Sequence, residues 1–94
     1  MVRPIVMWKF REGTQEQAEE FLRRLAALDG VIPCIRAMQV LRSAQLGSAY
    51  DAVLIADFDS LEAVKQYKDD PRHQAVSALC KEIRTDRRAI DVTL

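Results

Sequence analysis

The sequence predicts an α+β fold in which strands and helices follow one another in the order βαββ(αα)β. Apolar residues repeat with alternating strand-like and helix-like periods, and turn or capping residues separate the segments. At 94 residues the chain has the size of one domain, so we expect a single domain over residues 1–94. This order is the split βαβ pattern of ferredoxin-like domains, in which an antiparallel sheet carries its helices on one face.

The first half of the chain predicts a strand, a helix and a hairpin. Residues 2–10 are rich in Val, Ile, Trp and Phe, which indicates a strand. Thr14 opens a capping-box pattern, so a helix should begin there and end at Gly30. Two further strands are expected at about 35–42 and 50–58, joined by a polar loop. The apolar stripe of the helix comprises Ala18, Phe21, Leu22, Leu25, Ala26 and Leu28.

The second half predicts two helices and a last strand. Asp59 or Ser60 caps a short helix that ends near Tyr67. Asp70–Pro71 starts another helix, because proline suits the first helical position and aspartate before it is a good cap. The last strand is expected at about 87–94.

Both faces of the predicted sheet are apolar at mid-strand. One face carries Ile5 and Met7 from the first strand and Val53 and Ile55 from the third. These residues alternate with a second set of apolar residues, which points to the opposite face. Helices on one side cover only one face, so the other leaves a patch that is large for a monomer. Burying about 600 Å² of it contributes roughly 15 kcal/mol before the costs of association. The sequence therefore predicts a homodimer whose sheets pack face to face through these four residues.

Composition and charge exclude several classes of partner. Fourteen basic and fourteen acidic residues give a net charge of zero, and no basic face stands out, so nucleic acid is not an expected partner. The uncharged N-terminal run has five residues, too short for a signal peptide or a membrane span. The two cysteines form no C-x-x-C pair, which fits a reducing compartment. We therefore expect a cytoplasmic protein that does not associate with a membrane and binds no metal or cofactor.

The candidate chemistry lies in a cleft between the helices and the sheet. His73, the only histidine, falls on the apolar stripe of the last helix, and Tyr67 ends the helix before it. A first-turn position and partial burial favour neutral imidazole, whereas Asp69 and Asp70 favour the charged form, so the direction of its pKa shift stays open. His73 is therefore either a hydrogen-bonded core residue or a general base. The expected apolar walls of a small-molecule site are Val6, Trp8, Phe21, Leu25 and Val76.

Two charged clusters near this cleft have a structural explanation. Asp69, Asp70 and His73 include metal-ligand types, but aspartates directly before a proline have a structural role as helix caps, and no second histidine is present. The cluster Arg84, Arg87 and Arg88 is suited to an anion, yet acidic residues are interleaved with it. The sequence therefore indicates a solvated edge rather than a binding site.

Four segments, in order and over nearly the whole length, carry a resemblance to a known family. They are the first strand Val2–Phe10, Ile32–Pro33, Tyr50–Leu54 and the pattern Tyr67-x-x-Asp70-Pro71-x-His73. In these the chain resembles the stress-responsive A/B barrel (Dabb) family of the dimeric α+β barrel superfamily. The resemblance implies a ferredoxin-like protomer and a homodimer closed sheet to sheet.

The resemblance also implies a chemistry. One plant branch of the family, the olivetolic acid cyclase type, performs cofactor-free aldol cyclisation by general acid–base catalysis in the pocket between helices and sheet. His73 matches the helix histidine of that branch and Tyr67 its tyrosine. Pro4 stands where the branch has a first-strand histidine, and Asp70 where the helix motif has its first histidine.

Three functions therefore remain for comparison. The first is a homodimer that binds a small, largely apolar ligand beside His73 and Tyr67, with enolisation, aldol closure or isomerisation as its chemistry. The second is a stress-related binding protein without turnover. The third is a haem-handling or oxygenase-type member of the superfamily, with His73 as the iron ligand.

Overall fold

Strands and helices follow one another along the chain in the order that the periodicity predicts. A computed structural model describes residues 1–94, which form a four-stranded antiparallel sheet and three helices. The elements are β1 (Val2–Phe10), α1 (Gln15–Ala26), β2 (Ala37–Arg42), β3 (Ala52–Asp57), α2 (Leu61–Asp69), α3 (Pro71–Ile83) and β4 (Arg84–Thr93). Across the sheet the strand order is β2-β3-β1-β4, which confirms the ferredoxin-like α+β fold. None of the three helices has the length and apolar character needed to cross a bilayer.

Several element boundaries differ from the expected ones. The last strand begins at Arg84 rather than near residue 87, because α3 passes directly into β4 without a loop. The strands β2 and β3 begin two residues later than expected, at Ala37 and Ala52, and α2 continues to Asp69. The shared α3–β4 junction brings the end of a helix next to the start of a strand.

Helix capping is confirmed at two of the three helices. The Ser60 hydroxyl accepts from the Ala63 N–H at 3.1 Å, and the Asp70 carboxylate accepts from the Arg72 N–H at 2.8 Å. These bonds satisfy backbone donors that the first helical turn leaves free.

The prediction that Thr14 caps α1 through its side chain is wrong. Its hydroxyl donates to the Arg11 carbonyl at 2.6 Å and makes no capping bond, so the expected capping box does not form. The helix also ends at Ala26, before Gly30, and Ala26 is exposed rather than part of the buried stripe. Gly30 instead serves the turns that follow, where its φ of +83° lies in the left-handed region that favours glycine.

The hydrophobic core lies between one face of the sheet and the three helices. On the sheet side Val6, Trp8 and Leu54 are buried, and Phe58 is fully buried just beyond β3. The helices contribute the buried residues Phe21, Leu22, Leu25, Val64, Tyr67, Val76 and Cys80. This face of the sheet is the inner face.

The outer face of the sheet is also apolar at its centre. The strand register places Ile5 opposite Ile55 and Met7 opposite Val53. It adds Leu41 beside Val53 and Ile90 beside Ile5. Met7, Leu41 and Ile90 are 36%, 46% and 61% exposed. Ion pairs of Arg3 with Asp57 and of Lys9 with Asp51 flank this apolar centre.

Candidate functional site

A cavity of about 430 Å³ lies between the helices and the inner face of the sheet. Its volume is in the range of small-molecule sites, and about half of its lining is apolar. We call it the helix–sheet cavity. Of the residues that the sequence predicts for the site, the lining contains Val6, Trp8, Phe21, Leu25, Tyr67 and His73.

Val76 does not line the helix–sheet cavity, although the sequence places it in the site. The cavity side of α3 repeats at His73, Ser77 and Cys80, with a spacing of three to four residues, and Arg84 just after the helix continues it. Val76 lies beside this stripe and is buried in the core at 4% exposure. His73 and Val76 both fall on the apolar stripe that the helical period predicts. The period alone does not distinguish a core residue from one that lines the cavity.

Edge-to-face aromatic contacts position the apolar end of the cavity. The rings of Trp8 on β1 and Phe21 on α1 are 5.2 Å apart between centroids, at 87°. Phe10 contacts the same Phe21 ring at 6.0 Å and 73°. Such pairs contribute about 0.5–1.5 kcal/mol each beyond the area they bury. They contribute to holding α1 against β1.

Tyr67 lines the cavity with a buried hydroxyl that no protein atom hydrogen-bonds. Its ring packs against Phe58 at 5.2 Å and against His73 at 4.3 Å between centroids. Burial is the main cause that raises the pKa of Tyr67; the nearby Cys34 raises it further, while the charge of Arg87 lowers it. The phenol therefore keeps its proton and is a hydrogen-bond donor without a protein acceptor.

His73 is held by the end of the preceding helix. Its Nδ1 lies 3.2 Å from the Lys68 carbonyl oxygen. A carbonyl oxygen only accepts, so Nδ1 carries the proton of neutral imidazole and Nε2 keeps its lone pair. Burial is the largest cause that lowers the pKa of His73; the bond to Lys68 and the charge of Asp70 oppose it, and the cations Lys68 and Arg87 add to it. The sequence leaves open the direction in which the pKa of His73 shifts; in the structure the pKa is lowered, which favours the neutral form.

Asp70 is occupied by its own helix. Besides capping α3 it accepts from the Arg72 guanidinium at 2.8 and 3.0 Å, and these bonds hold the pKa of Asp70 down to about 2. It does not line the cavity. No group of three or more His, Cys, Asp or Glu side chains is arranged to hold a metal ion.

Pro4 stands on β1 where the resemblance would place a second imidazole. It lines the helix–sheet cavity, and its strand partner Asp91 on β4 lines the cavity as well. The proline ring has no polar hydrogen and no titratable group. The site therefore contains one imidazole, that of His73.

Sequence reasoning missed the polar part of the lining. Ser77 and Lys81 follow His73 along α3 at four and eight residues, and Arg84 directly after the helix follows at eleven, so this helical spacing keeps all three on the side of His73. Arg87 and Asp91 alternate on β4 and pair with Trp8 and Pro4 across the sheet. The helical spacing on α3 and the alternation on β4 are both visible in the sequence. They define one wall of the cavity only because β4 pairs with β1 in the folded sheet. The polar lining residues that the sequence does not assign to the site are Lys68, Gln74, Ser77, Lys81, Arg84, Arg87 and Asp91, of which Arg84 and Arg87 are interpreted from the sequence as a solvated edge.

An antiparallel sheet with its helices on one face, and a cavity between the two layers, defines a ferredoxin-like α+β protein with an internal cavity. The model of the Dabb family, the stress responsive A/B barrel domain, matches residues 2–94, and the chain belongs to this family. No curated protein matches the chain.

Solved structures share this fold over nearly the whole chain. A dimeric ferredoxin-like protein of unknown function from Bacteroides fragilis is 26% identical, with a TM-score of 0.86 over 99% of this chain and 95% of that one. A second dimeric ferredoxin-like protein, from Thermobifida fusca, is 26% identical, with a TM-score of 0.87 over 99% and 90%. Hydroxynitrile lyase from Passiflora edulis has a TM-score of 0.85 over 99% and 92%, but is 11% identical and shows the fold alone.

Proposed function

We propose that the protein binds a small, largely apolar carbonyl compound in the helix–sheet cavity and transfers a proton on it without a cofactor. The observation that carries this proposal is the pairing of Tyr67 and His73. A buried phenol without a protein acceptor lies in ring contact with a neutral imidazole whose Nε2 has no protein partner. A buried unsatisfied hydroxyl costs about 1–3 kcal/mol, a cost that a ligand oxygen would offset.

The two side chains have complementary roles in enolisation. His73 Nε2 takes a proton from the carbon next to a ligand carbonyl, and the C–H electron pair forms the enolate. The Tyr67 hydroxyl donates to the carbonyl oxygen, where the negative charge develops. Return of the proton from the imidazolium to another carbon completes an isomerisation. For an aldol closure, the enolate carbon attacks a second carbonyl of the same ligand, and the imidazolium returns its proton to the alkoxide that this attack forms.

A binding protein without turnover is the second candidate, and Pro4 favours it. This residue lines the cavity, but its side chain contributes no donor, acceptor or titratable group. Any leaving group or second carbonyl on that side of the cavity would have no imidazole to protonate it. In this function His73 and Tyr67 recognise the ligand without changing it.

The proposed assembly is a homodimer that buries the outer face of the sheet through Ile5, Met7, Val53 and Ile55. Structural neighbours at 26% identity are described as dimeric. The patch is apolar at its centre, and its flanking charges pair within the protomer, so two copies meet without unpaired charge from these ion pairs. The helix–sheet cavity lies on the opposite face and stays open in such a dimer. The free thiols Cys34 and Cys80 agree with the reducing cytoplasm expected for the protein.

Deuterium exchange into methyl hexyl ketone in D₂O tests the chemistry. We expect the protein to accelerate exchange next to the carbonyl, and His73→Gln to abolish the acceleration with little change in melting temperature. Ser77→Ala, which alters the cavity lining without removing a titratable group, is the matched control and should retain exchange. Undiminished exchange in His73→Gln would exclude the base. Binding of the ketone without any exchange in the wild type would favour the second candidate.

A further inference from the structure

The polar side of the helix–sheet cavity is strongly cationic. Four of its lining residues carry a positive charge, and Asp91 is the only acidic one. We call the four the cationic rim: Lys68 on α2, Lys81 on α3, Arg84 at the α3–β4 junction and Arg87 on β4. The protein as a whole has a net charge of zero, so this excess of positive charge is local.

The cationic rim is unpaired in a protein that pairs most of its cations. Nine of the fourteen lysines and arginines form an ion pair with a carboxylate within 4.0 Å. Of the five that do not, Arg11 donates to the Glu82 carbonyl oxygen. The remaining four are the four residues of the rim.

The helix dipole explains only part of this arrangement. Cations near the C-terminal ends of α2 and α3 are favourable, which accounts for the positions of Lys68 and Lys81 along their helices. It does not account for Arg87, a strand residue opposite Trp8 that lines the same cavity. Asp91 lies four residues further along β4, about 13 Å from Arg87 at the usual rise of a strand, and forms no ion pair with it.

The rim also acts on the proposed reactive groups. The positive charge of Arg87 lowers the pKa of both Tyr67 and His73. Bringing like charges together around one cavity is unfavourable unless an opposite charge enters it. An occupant with a negative group would relieve that repulsion and form charge-assisted hydrogen bonds.

We infer that the ligand of the helix–sheet cavity is an amphipathic anion, whose carboxylate or phosphate head binds the cationic rim while its apolar body lies against Trp8 and Phe21. This inference rests on the proposed function and narrows its ligand class. Arg87 and Arg88 are exposed, as the interpretation of a solvated edge expects, but Arg84 and Arg87 also line the cavity. Arg88 is on the outer face and pairs with Asp86. Sequence spacing had grouped three arginines that the sheet divides between its two faces.

Trp8 provides the probe for the test. It is the only tryptophan and lines the cavity at 5% exposure, so its fluorescence reports occupancy of that cavity. Octanoate, octyl phosphate and octanol share an apolar chain and differ in the head group. At low ionic strength we expect at least one of the two anions to bind about tenfold more tightly than octanol, the typical gain from a charge-assisted contact. The preference should shrink as salt is added.

Variants that remove positive charge from the cationic rim test whether the rim causes the preference for anions. In Arg84→Gln/Arg87→Gln the ratio between the affinity for the anion that the wild type prefers and the affinity for octanol should fall to near one. The double variant Arg23→Gln/Arg24→Gln removes the same net charge from exposed sites on α1 and should keep the wild-type ratio. Because Arg84 lies at a helix end, Arg87→Glu serves as a second variant: it changes an exposed side chain and should make octylamine the preferred ligand over octanoate.

The outcomes separate this inference from the proposed function. Equal binding of octanol and both anions, or a preference that survives in both rim variants, would overturn the anionic head group and leave a cavity for apolar ligands intact. Absence of binding by all three probes would overturn both. Which of octanoate and octyl phosphate binds more tightly distinguishes a carboxylate from a phosphate ligand.

Discussion

The neutral form of His73 follows from where its ring lies. The sequence places the ring near two aspartates, but Asp70 directs its carboxylate to Arg72 and the ring packs against Tyr67. Desolvation then outweighs the remaining attraction to negative charge and lowers the pKa. A base that is already neutral at pH 7 can accept a proton without first losing one.

This shift predicts a pH profile. The pKa of His73 should fall below its ordinary value of 6.5, so its protonated fraction at pH 6.5 is less than half. Proton transfer should therefore decline only at lower pH, and the contribution of this group to the free energy of unfolding should diminish as pH falls below about 6.5. Because the chain has one histidine, the imidazole C–H signals in an NMR titration report this pKa directly. A midpoint above 6.5 would contradict the proposed neutral base.

Removing the hydroxyl of Tyr67 should stabilise the ligand-free protein. Tyr67→Phe keeps the ring contacts with Phe58 and His73 and deletes a buried donor without a protein acceptor. We expect the free energy of unfolding to rise by about 1 kcal/mol in urea denaturation, while binding of methyl hexyl ketone weakens.

Tyr50→Phe is the matched control for this prediction. Its hydroxyl donates to Asp86 at 3.0 Å and accepts from Arg88 at 3.3 Å, so its loss should lower the free energy of unfolding. If Tyr67→Phe were destabilised as much as Tyr50→Phe, the Tyr67 hydroxyl would have a partner in the folded protein.

At the scale of elements, residue type predicts where a helix begins better than it predicts whether the capping side chain forms its hydrogen bond. Ser60 and Asp70 have extended backbone angles that turn their oxygens towards the helix. Thr14, at φ −110° and ψ 25°, turns its hydroxyl back to the preceding loop instead. All three residues are good caps by type, but the backbone conformation decides which of them makes the bond.

Ser60 should therefore contribute measurably to stability. We expect Ser60→Ala to lower the free energy of unfolding by about 1 kcal/mol, because the Ala63 N–H loses its side-chain acceptor. Ser60→Asp, which keeps an acceptor and places a negative charge at the helix N-terminus, should restore it. Urea denaturation followed by circular dichroism measures both. Equal stability of Ser60→Ala and the wild type would show that solvent replaces this cap without loss.

At the scale of the whole molecule, the apolar outer face is the basis of the proposed homodimer. The four predicted interface residues lie together at the centre of the sheet, and the register extends the patch to Leu41 and Ile90 on its flanking strands. Large apolar patches of this kind are uncommon on monomers and are typical of interfaces.

A single charge at the centre of this patch should abolish the dimer. We expect Ile55→Lys to sediment as a folded monomer, because an unpaired ammonium group would be buried in the interface. Leu61→Lys changes an equally large, exposed apolar residue on the helix side and should remain dimeric. A wild-type protein that sediments as a monomer, or a dimeric Ile55→Lys, would exclude this interface.

The sequence by itself determined the order of elements, the ferredoxin-like fold and the apolar character of both sheet faces. These depend on hydrophobic period, turn residues and capping residues, all of which act over a few neighbouring positions. It also placed Val6, Trp8, Phe21 and Leu25 on the wall of one cavity, since strand alternation and helix period give the direction of each side chain.

Only the tertiary structure decided which side chains share a surface across elements. It moved Val76 from the cavity wall into the core, gave His73 a carbonyl partner that leaves Nε2 free, and divided Arg87 from Arg88 between two faces of the sheet. Electrostatic and hydrogen-bonding effects act through space, between residues that can be far apart in the chain. The cationic rim is such an effect, because it exists only where the ends of α2 and α3 meet β4.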